Sequence, residues 1–340
     1  MTSGSPDVLV VGAGVAGLAC ARDLARAGHS VVVFDKGRSV GGRCSTWRTE
    51  SGHCLDYGVT FLHGTDREFL AELDGIEGVI PGWPLRTLGH GDPCQPRALA
   101  AHEHRVGLAP GVSALPKHLA AGLDVRTRTT VQRLVITDGR LGLEHEGARL
   151  TTDMLVLALP CEQARELLTP LSDDDDEISG MHRLLGMLGT VPCLTVLATY
   201  DRAPPEWRLL LPDASRTVQL VANESSKRPD VPGCALVVQA RPDWSATHLE
   251  KPPECWAAEL LREAAAQIGD WVTAPTWSRT HRWRYARADL ATELSGPFLY
   301  ERGGARLGLV GELFSRGTGV QAAYTSGRAL ARRIVGDDHD

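Results

Sequence analysis

The sequence lacks any apolar run approaching the roughly 18 residues that a membrane-spanning helix requires. Its first strongly apolar segment, Val8 to Val11, meets a glycine turn at once, and no charged stretch precedes a signal-like segment. The expectation is a soluble, cytoplasmic protein with no membrane partner. A net basic charge is lacking as well. The formal charge is −6, and only four of the 36 basic residues are lysines: Lys36, Lys117, Lys227 and Lys251. A mildly acidic chain has no general positive field to neutralise phosphates, so nucleic acid is not an expected partner. None of the eight cysteines forms a Cys-x-x-Cys pair, which argues against a zinc site or a dithiol redox centre. No metal is expected, and the cysteines read as buried small hydrophobes. Internal repeats are missing too.

What is present suggests roughly two domains in 340 residues. Val8–Val11 and Val31–Phe34 are short β-branched runs bounded by turns, with a helix from Gly17 to about Gly28 between them: a βαβ opening. The segment from Ile80 to Pro96 is rich in Pro, Gly and Trp and reads as an irregular connection. A helix is expected over Ser113–Leu123 with Pro116 in its first turn. Strands joined by turns, one at Asp138-Gly139, are expected over Val125–Leu150, then a buried strand over Met154–Leu159 and a helix near Glu162–Leu168. The acidic run Ser172–Glu177 reads as a solvated loop. Cys193–Thr199, Val218–Ala222 and Ala235–Ala240 have the spacing of sheet strands, and Glu254–Ile268 that of an amphipathic helix. Leu307–Val310 is a last strand and Gln321–Val335 a last helix. The fold class is therefore α/β: a Rossmann-like nucleotide-binding domain built from residues 1–79, 97–167 and 284–336, with an inserted α+β substrate domain at 80–96 and 168–283.

The first chemical motif is Gly12-Ala13-Gly14-Val15-Ala16-Gly17, a GxGxxG between strand and helix. Gly12 permits the tight turn, Gly14 admits a pyrophosphate to the backbone, and Gly17 lets helix and strand approach. The positive end of the helix then faces the phosphates. Asp35 ends the second strand, where an acid accepts ribose hydroxyls and repels a 2′-phosphate. A plain nicotinamide dehydrogenase has no need for a second glycine pair. Here Lys36 leads to Gly41-Gly42-Arg43, which can bring amides and a guanidinium to a diphosphate. Asp56-Tyr57-Gly58-Val59-Thr60-Phe61 comes next. Near the C-terminus, Gly311-Glu312 and then Gly319-Val320-Gln321 form a strand end, an acid and a helix start, a place for a partly anionic ring edge.

Together these segments resemble the FAD-dependent amine oxidase superfamily, and within it the renalase-like branch. Leu155 to Pro160 resembles the family's strand after the nucleotide core, and His281 to Ala286 a stretch of renalase-like proteins. The resemblance covers most of the nucleotide domain, and the middle of the chain matches only in general layout. It implies noncovalent FAD, with Gly12, Ala13, Gly14, Ala16 and Gly17 at the diphosphate, Asp35 at the adenosine ribose, and Lys36, Gly42 and Arg43 nearby. Val131 would pair its backbone with adenine. Thr60 and Phe61 would flank the isoalloxazine, and Gly311, Glu312, Gly319, Val320 and Gln321 would close the flavin end.

Two departures stand out. Gln321-Ala322 replaces the more usual acid-glycine pair, and no lysine falls in a motif matching the one many amine oxidases place near flavin N5. The implied reaction is hydride transfer from a small-molecule donor to N5 with reoxidation by O2, where the protein supplies position and water exclusion. A dihydronicotinamide isomer is the donor that the renalase-like resemblance suggests. An amine oxidase, a desaturase of a specialised metabolite and a non-catalytic flavin-binding protein are the alternatives. No catalytic residue is identified. His281, Trp283, Arg284 and Tyr285 are candidates to line the substrate pocket, Trp283 by stacking and Arg284 by holding an anion. The same residues would equally cement a domain interface, and His63 reads as structural.

Overall fold

The computed structural model describes residues 5–85, 87–89, 96–137, 139–172, 175–289, 294–317 and 319–337. The chain divides into two compact units. One comprises Met1–Gly42, Leu115–Thr190 and Ala288–Asp340, the other Arg43–Ala114 and Val191–Arg287.

The first unit is built on a six-stranded sheet. Its order is Phe298–Arg302, Ala305–Leu309, Met154–Leu157, Val8–Val11, Val31–Phe34, Asp124–Arg126. All neighbours are parallel except the first two, which form a hairpin. The four-residue apolar runs are buried throughout, as strands covered on both faces must be. The helices Val15–Arg26 and Gly319–Asp337 cross closely. A Cβ on Gly327 would stand 2.1 Å from the Ala16 carbonyl, so only glycine permits that crossing. A separate antiparallel sheet joins Arg133–Thr137, Arg140–His145 and Ala148–Thr152. Of the expected turn between the first two, Gly139 has φ +76°, while Asp138 lies outside the described residues.

The acidic run departs from expectation. Asp175 Oδ1 accepts from the amides of Glu177 and Ile178, at 2.9 and 3.0 Å, and caps a helix over Asp176–Met187. Carboxylates at a helix start satisfy its exposed amides and oppose its dipole favourably. Ile178, Met181 and Leu185 bury the other face. Asp173 and Asp174 lie outside the described residues.

The second unit carries a six-stranded sheet in the order Trp277–Ala288, Thr190–Tyr200, Cys234–Ala240, Val218–Asn223, Leu209–Leu210, Thr87–Leu88. The helix Ala257–Ile268 covers it, burying Leu260, Leu261 and Ala264 together with Trp256 against Val196, Tyr200 and Val238. The other side of the sheet buries Leu197, Leu209 and Val237 with Leu55 and Trp83. That shared core explains why residues 43–79 and 97–114, expected in the nucleotide domain, fall within the second compact unit. No described helix is long and apolar enough to cross a membrane.

Candidate functional site

In the first unit the glycine motif forms a cradle. Gly12 has φ +110°, and a Cβ there would lie 2.3 Å from the Ala158 carbonyl oxygen. A Cβ on Gly17 would come within 2.1 Å of the Gly12 carbonyl oxygen. Both positions therefore exclude side chains for reasons internal to the fold. Gly14 is different, because a Cβ there would meet nothing within 4 Å. Gly14 is also the N-cap of Val15–Arg26, which has no side-chain cap and no acid in its first turn. The positive end of that helix thus opens on free space, the arrangement that binds a phosphate.

Asp35 stands beside this opening. Its carboxylate accepts from the amides of Ala13 at 2.7 Å and Gly37 at 2.6 Å. The Gly41 amide donates to the Ala13 carbonyl at 2.8 Å, which brings the second glycine pair to the first motif. Gly42 comes next, in the left-handed region at φ +52°. Ala16 is buried in the helix and Lys36 is exposed. Val131 is half-buried against the unit's core, just ahead of the strand Arg133–Thr137. The residues present fit a dinucleotide: a bare helix terminus, room for a diphosphate and an acid nearby.

Glu312 has a role that its motif did not reveal. It is buried, and its two carboxylate oxygens accept from the amides of Gly319 at 3.0 Å and Ala288 at 3.2 Å. It therefore caps the helix that Gly319, Val320 and Gln321 open. The Gly311 amide is held by Ser326 Oγ at 3.1 Å. This end of the unit is pre-organised by its own side chains.

In the second unit a cavity of about 820 Å³, its open mouth included, lies over the sheet. Arg43, Thr60 and Phe61 line it, as does Trp283. Gln239 donates to the carbonyls of Tyr57 (3.3 Å) and Gly58 (2.6 Å), and Trp283 Nε1 donates to Tyr57 O at 2.9 Å. The Tyr57 and Trp283 rings stack at 5.3 Å and 25°, so the indole is fixed as a flat wall.

The other pocket candidates do not line this cavity. His281 packs against the rings of Trp283 and Tyr57, at 4.2 and 4.9 Å between centroids. Burial, aided by the charge of Arg279, pushes its pKa down to about 4. Arg284 forms an exposed ion pair with Glu250 instead of facing a substrate anion. As neighbours on one strand, Trp283 and Arg284 point to opposite faces, so one segment could not place both. Tyr285 is half-buried on the same strand.

Sequence reasoning missed several residues that shape the cavity. His63 lines it, and its Nδ1 meets Glu103 Oε2 at 3.1 Å. Gln219, Gln239, Cys193 and Arg287 line it too. Behind the wall, Lys227 donates to the Thr60 carbonyl. Only the β-strand spacing of 193–199, 218–222 and 235–240 signalled where such residues would gather.

Two family models match the chain. One, described as an NAD(P)-binding Rossmann-like domain, covers residues 10–73. The other, described as flavin containing amine oxidoreductase, covers residues 90–335. A protein named as a flavin-containing monoamine oxidase in Mycobacterium tuberculosis is 51% identical over 65 residues, 19% of this chain and 14% of that protein. The 15-cis-phytoene desaturase of Synechococcus elongatus is 39% identical over 57 residues, 17% of this chain and 12% of the desaturase. The alignments therefore span about one seventh or less of the length of these two relatives. The cyclohexylamine oxidase of Brevibacterium oxydans superposes with a TM-score of 0.74 at 14% identity, covering 99% of this chain and 100% of that one. At that identity the likeness establishes the fold.

Proposed function

The chain belongs to the flavin-containing amine oxidoreductase family, with FAD as its cofactor, and on that premise we propose that it oxidises a small planar donor, a dihydronicotinamide isomer, taken into the cavity of the second unit. The observation that carries this reading is the fixed indole of Trp283. Its ring is clamped by Tyr57 through stacking and through the Nε1 hydrogen bond, and it offers a planar donor a planar surface. Bound FAD would supply the hydride acceptor at N5, with O2 restoring its oxidised form.

The chain's own residues supply binding and exclusion. The first unit's glycine cradle and Asp35 would hold the adenosine diphosphate end of the cofactor. Lining the cavity of the second unit, Phe61, Leu209, Leu211 and Leu220 exclude water, while Gln239 fixes the 57–58 backbone through its amide. A second reading, oxidation of an amine, is favoured by the His63–Glu103 pair, which sets a carboxylate-oriented imidazole in the wall of the cavity where an amine would bind.

The test is a visible spectrum of the purified protein followed by anaerobic addition of donors. Bleaching of the flavin bands by dihydronicotinamide isomers but not by amines supports the proposal. Bleaching by amines alone replaces it with the second reading. A colourless protein that cannot be reconstituted with FAD would refute both.

A further inference from the structure

Among the described residues, the cavity of the second unit is lined by two guanidiniums and by no carboxylate. Its titratable lining residues are Arg43, His63, Cys193 and Arg287. Glu103 touches His63 but does not line the cavity. Burial pushes the Cys193 thiol up, against the opposing charge of Arg287, so this sulfur adds no negative charge. An ammonium substrate entering here would meet the Arg287 guanidinium and, among the described residues, find no lining acid to pair with.

Arg287 is the more telling of the two. A guanidinium is always protonated and carries only donors. Arg43 has a contact through Nη1 to the Ala286 carbonyl at 3.5 Å. Arg287 Nη2, by contrast, is buried and meets no acceptor among the described residues. A charged donor removed from water and left without an acceptor destabilises the fold unless something else supplies the oxygen. Arg287 also lines the open cavity, and a small turn of its side chain would bring this nitrogen to a ligand oxygen there.

We propose that Arg287 is the specificity-determining residue of this cavity and that it binds an anionic oxygen group, carboxylate or phosphate, on the substrate. This rests on the reading of the cavity as the donor site. It separates the protein from oxidases of cationic amines and fits donors that carry acidic groups. Two sources could provide the acceptor oxygen, the substrate or the carbonyl edge of the cofactor, and the experiment distinguishes them.

FAD-loaded wild type, Arg287→Gln and Arg287→Lys would be titrated with benzoate, neutral benzamide and benzylamine at pH 7, following the flavin absorption bands. Benzoate is expected to perturb the wild-type spectrum and to bind about tenfold or more tighter than benzamide, the gain of one charge-assisted hydrogen bond. Arg287→Gln should lose that preference, Arg287→Lys should recover part of it, and FAD content should be unchanged. Equal affinity for benzoate and benzamide in the wild type overturns the proposal without recourse to any variant, as does tighter binding of benzylamine. An Arg287→Gln protein that folds but holds no FAD also overturns it, because the nitrogen then serves the cofactor. If benzoate binds through Arg287 while no dihydronicotinamide bleaches the flavin, the donor assignment fails and the proposal for Arg287 is supported.

Discussion

Lys227 donates from Nζ to Asp56 Oδ2 at 2.8 Å, and neither side chain has any exposed surface. The same ammonium donates to Glu224 Oε1 at 2.8 Å and to the Thr60 carbonyl, which uses all three of its protons. Arg228 completes the cluster through Glu224 Oε2 at 2.9 Å, so two cations balance two carboxylates. Burial opposes ionisation of Asp56, yet Lys227 and Arg228 outweigh it and hold the carboxyl below its ordinary range. Lys227→Met would leave two buried carboxylates facing one guanidinium. The expected loss is about 3–5 kcal/mol of unfolding free energy, the usual consequence of breaking a buried pair from one side. Urea denaturation measures it, and a loss below about 1 kcal/mol would mean that the cluster is not ionised in the fold. Because Thr60 lines the cavity, the variant should also raise the donor KM.

Gly12 and Gly14, two residues apart, should respond oppositely to the same substitution. In Gly12→Ala the new methyl meets the Ala158 carbonyl oxygen at 2.3 Å and the backbone is held at φ +110°, so the fold itself should lose stability, by about 1–3 kcal/mol or more. Gly14→Ala meets nothing within 4 Å and should leave the melting temperature of the apoprotein unchanged. Its methyl would instead occupy the space ahead of the helix terminus and weaken FAD binding by about tenfold or more, given the close backbone approach a diphosphate requires. Thermal melting without FAD and titration with FAD read the two effects separately. Wild-type FAD affinity in Gly14→Ala would place the diphosphate elsewhere.

The opening βαβ unit was legible because its signals are local. Apolar four-residue runs, a glycine turn and a terminating acid all sit within residues 8–35, and the helix and strand ends fall within two residues of expectation. The last helix and the three middle strands were legible for the same reason. The cavity wall was not. Lys227 lies between Ser226 and Arg228, with nothing nearby to announce burial, and its partner Asp56 is 171 positions away. Gln239 reaches Gly58 across 181 positions and Glu103 reaches His63 across 40. Such pairings are made by strand order and register, which periodicity does not reveal. Trp277–Ala288 carries mixed polar and aromatic residues and is mostly half-buried, so it has no apolar alternation to mark it as a strand. Without that assignment, Trp283 and Arg284 looked like members of one cluster.

Acid should expose the role of His281. Its folded pKa of about 4 lies below the ordinary 6.5, because burial and Arg279 both disfavour the imidazolium. As pH falls, the unfolded chain takes up this proton first. The stability contributed by neutral His281 is therefore fully present above about pH 6.5, declines from there to about pH 4, and is flat below that. His281→Gln removes this titration. Urea midpoints measured from pH 8 to pH 4 should fall more steeply in wild type than in the variant, and parallel curves would contradict a buried neutral ring.

Trp283 and Arg284 provide the sharpest contrast on a single strand. Arg284 pairs with Glu250, with side chains 45% and 71% exposed, and so contributes little that solvent and salt do not already screen. Arg284→Gln should leave both the unfolding midpoint and the donor KM within experimental scatter. Trp283→Leu removes the flat wall of the cavity and the stack on Tyr57 while keeping an apolar side chain. Its cost should fall on binding, raising the donor KM by about tenfold with a smaller change in kcat, because an aromatic contact of this kind is worth about 0.5–1.5 kcal/mol beyond the area it buries. Steady-state kinetics on both variants would decide the matter. If Arg284→Gln raised KM and Trp283→Leu did not, the substrate would lie on the opposite face of this strand, and the cavity lined by Trp283 would not be the donor site.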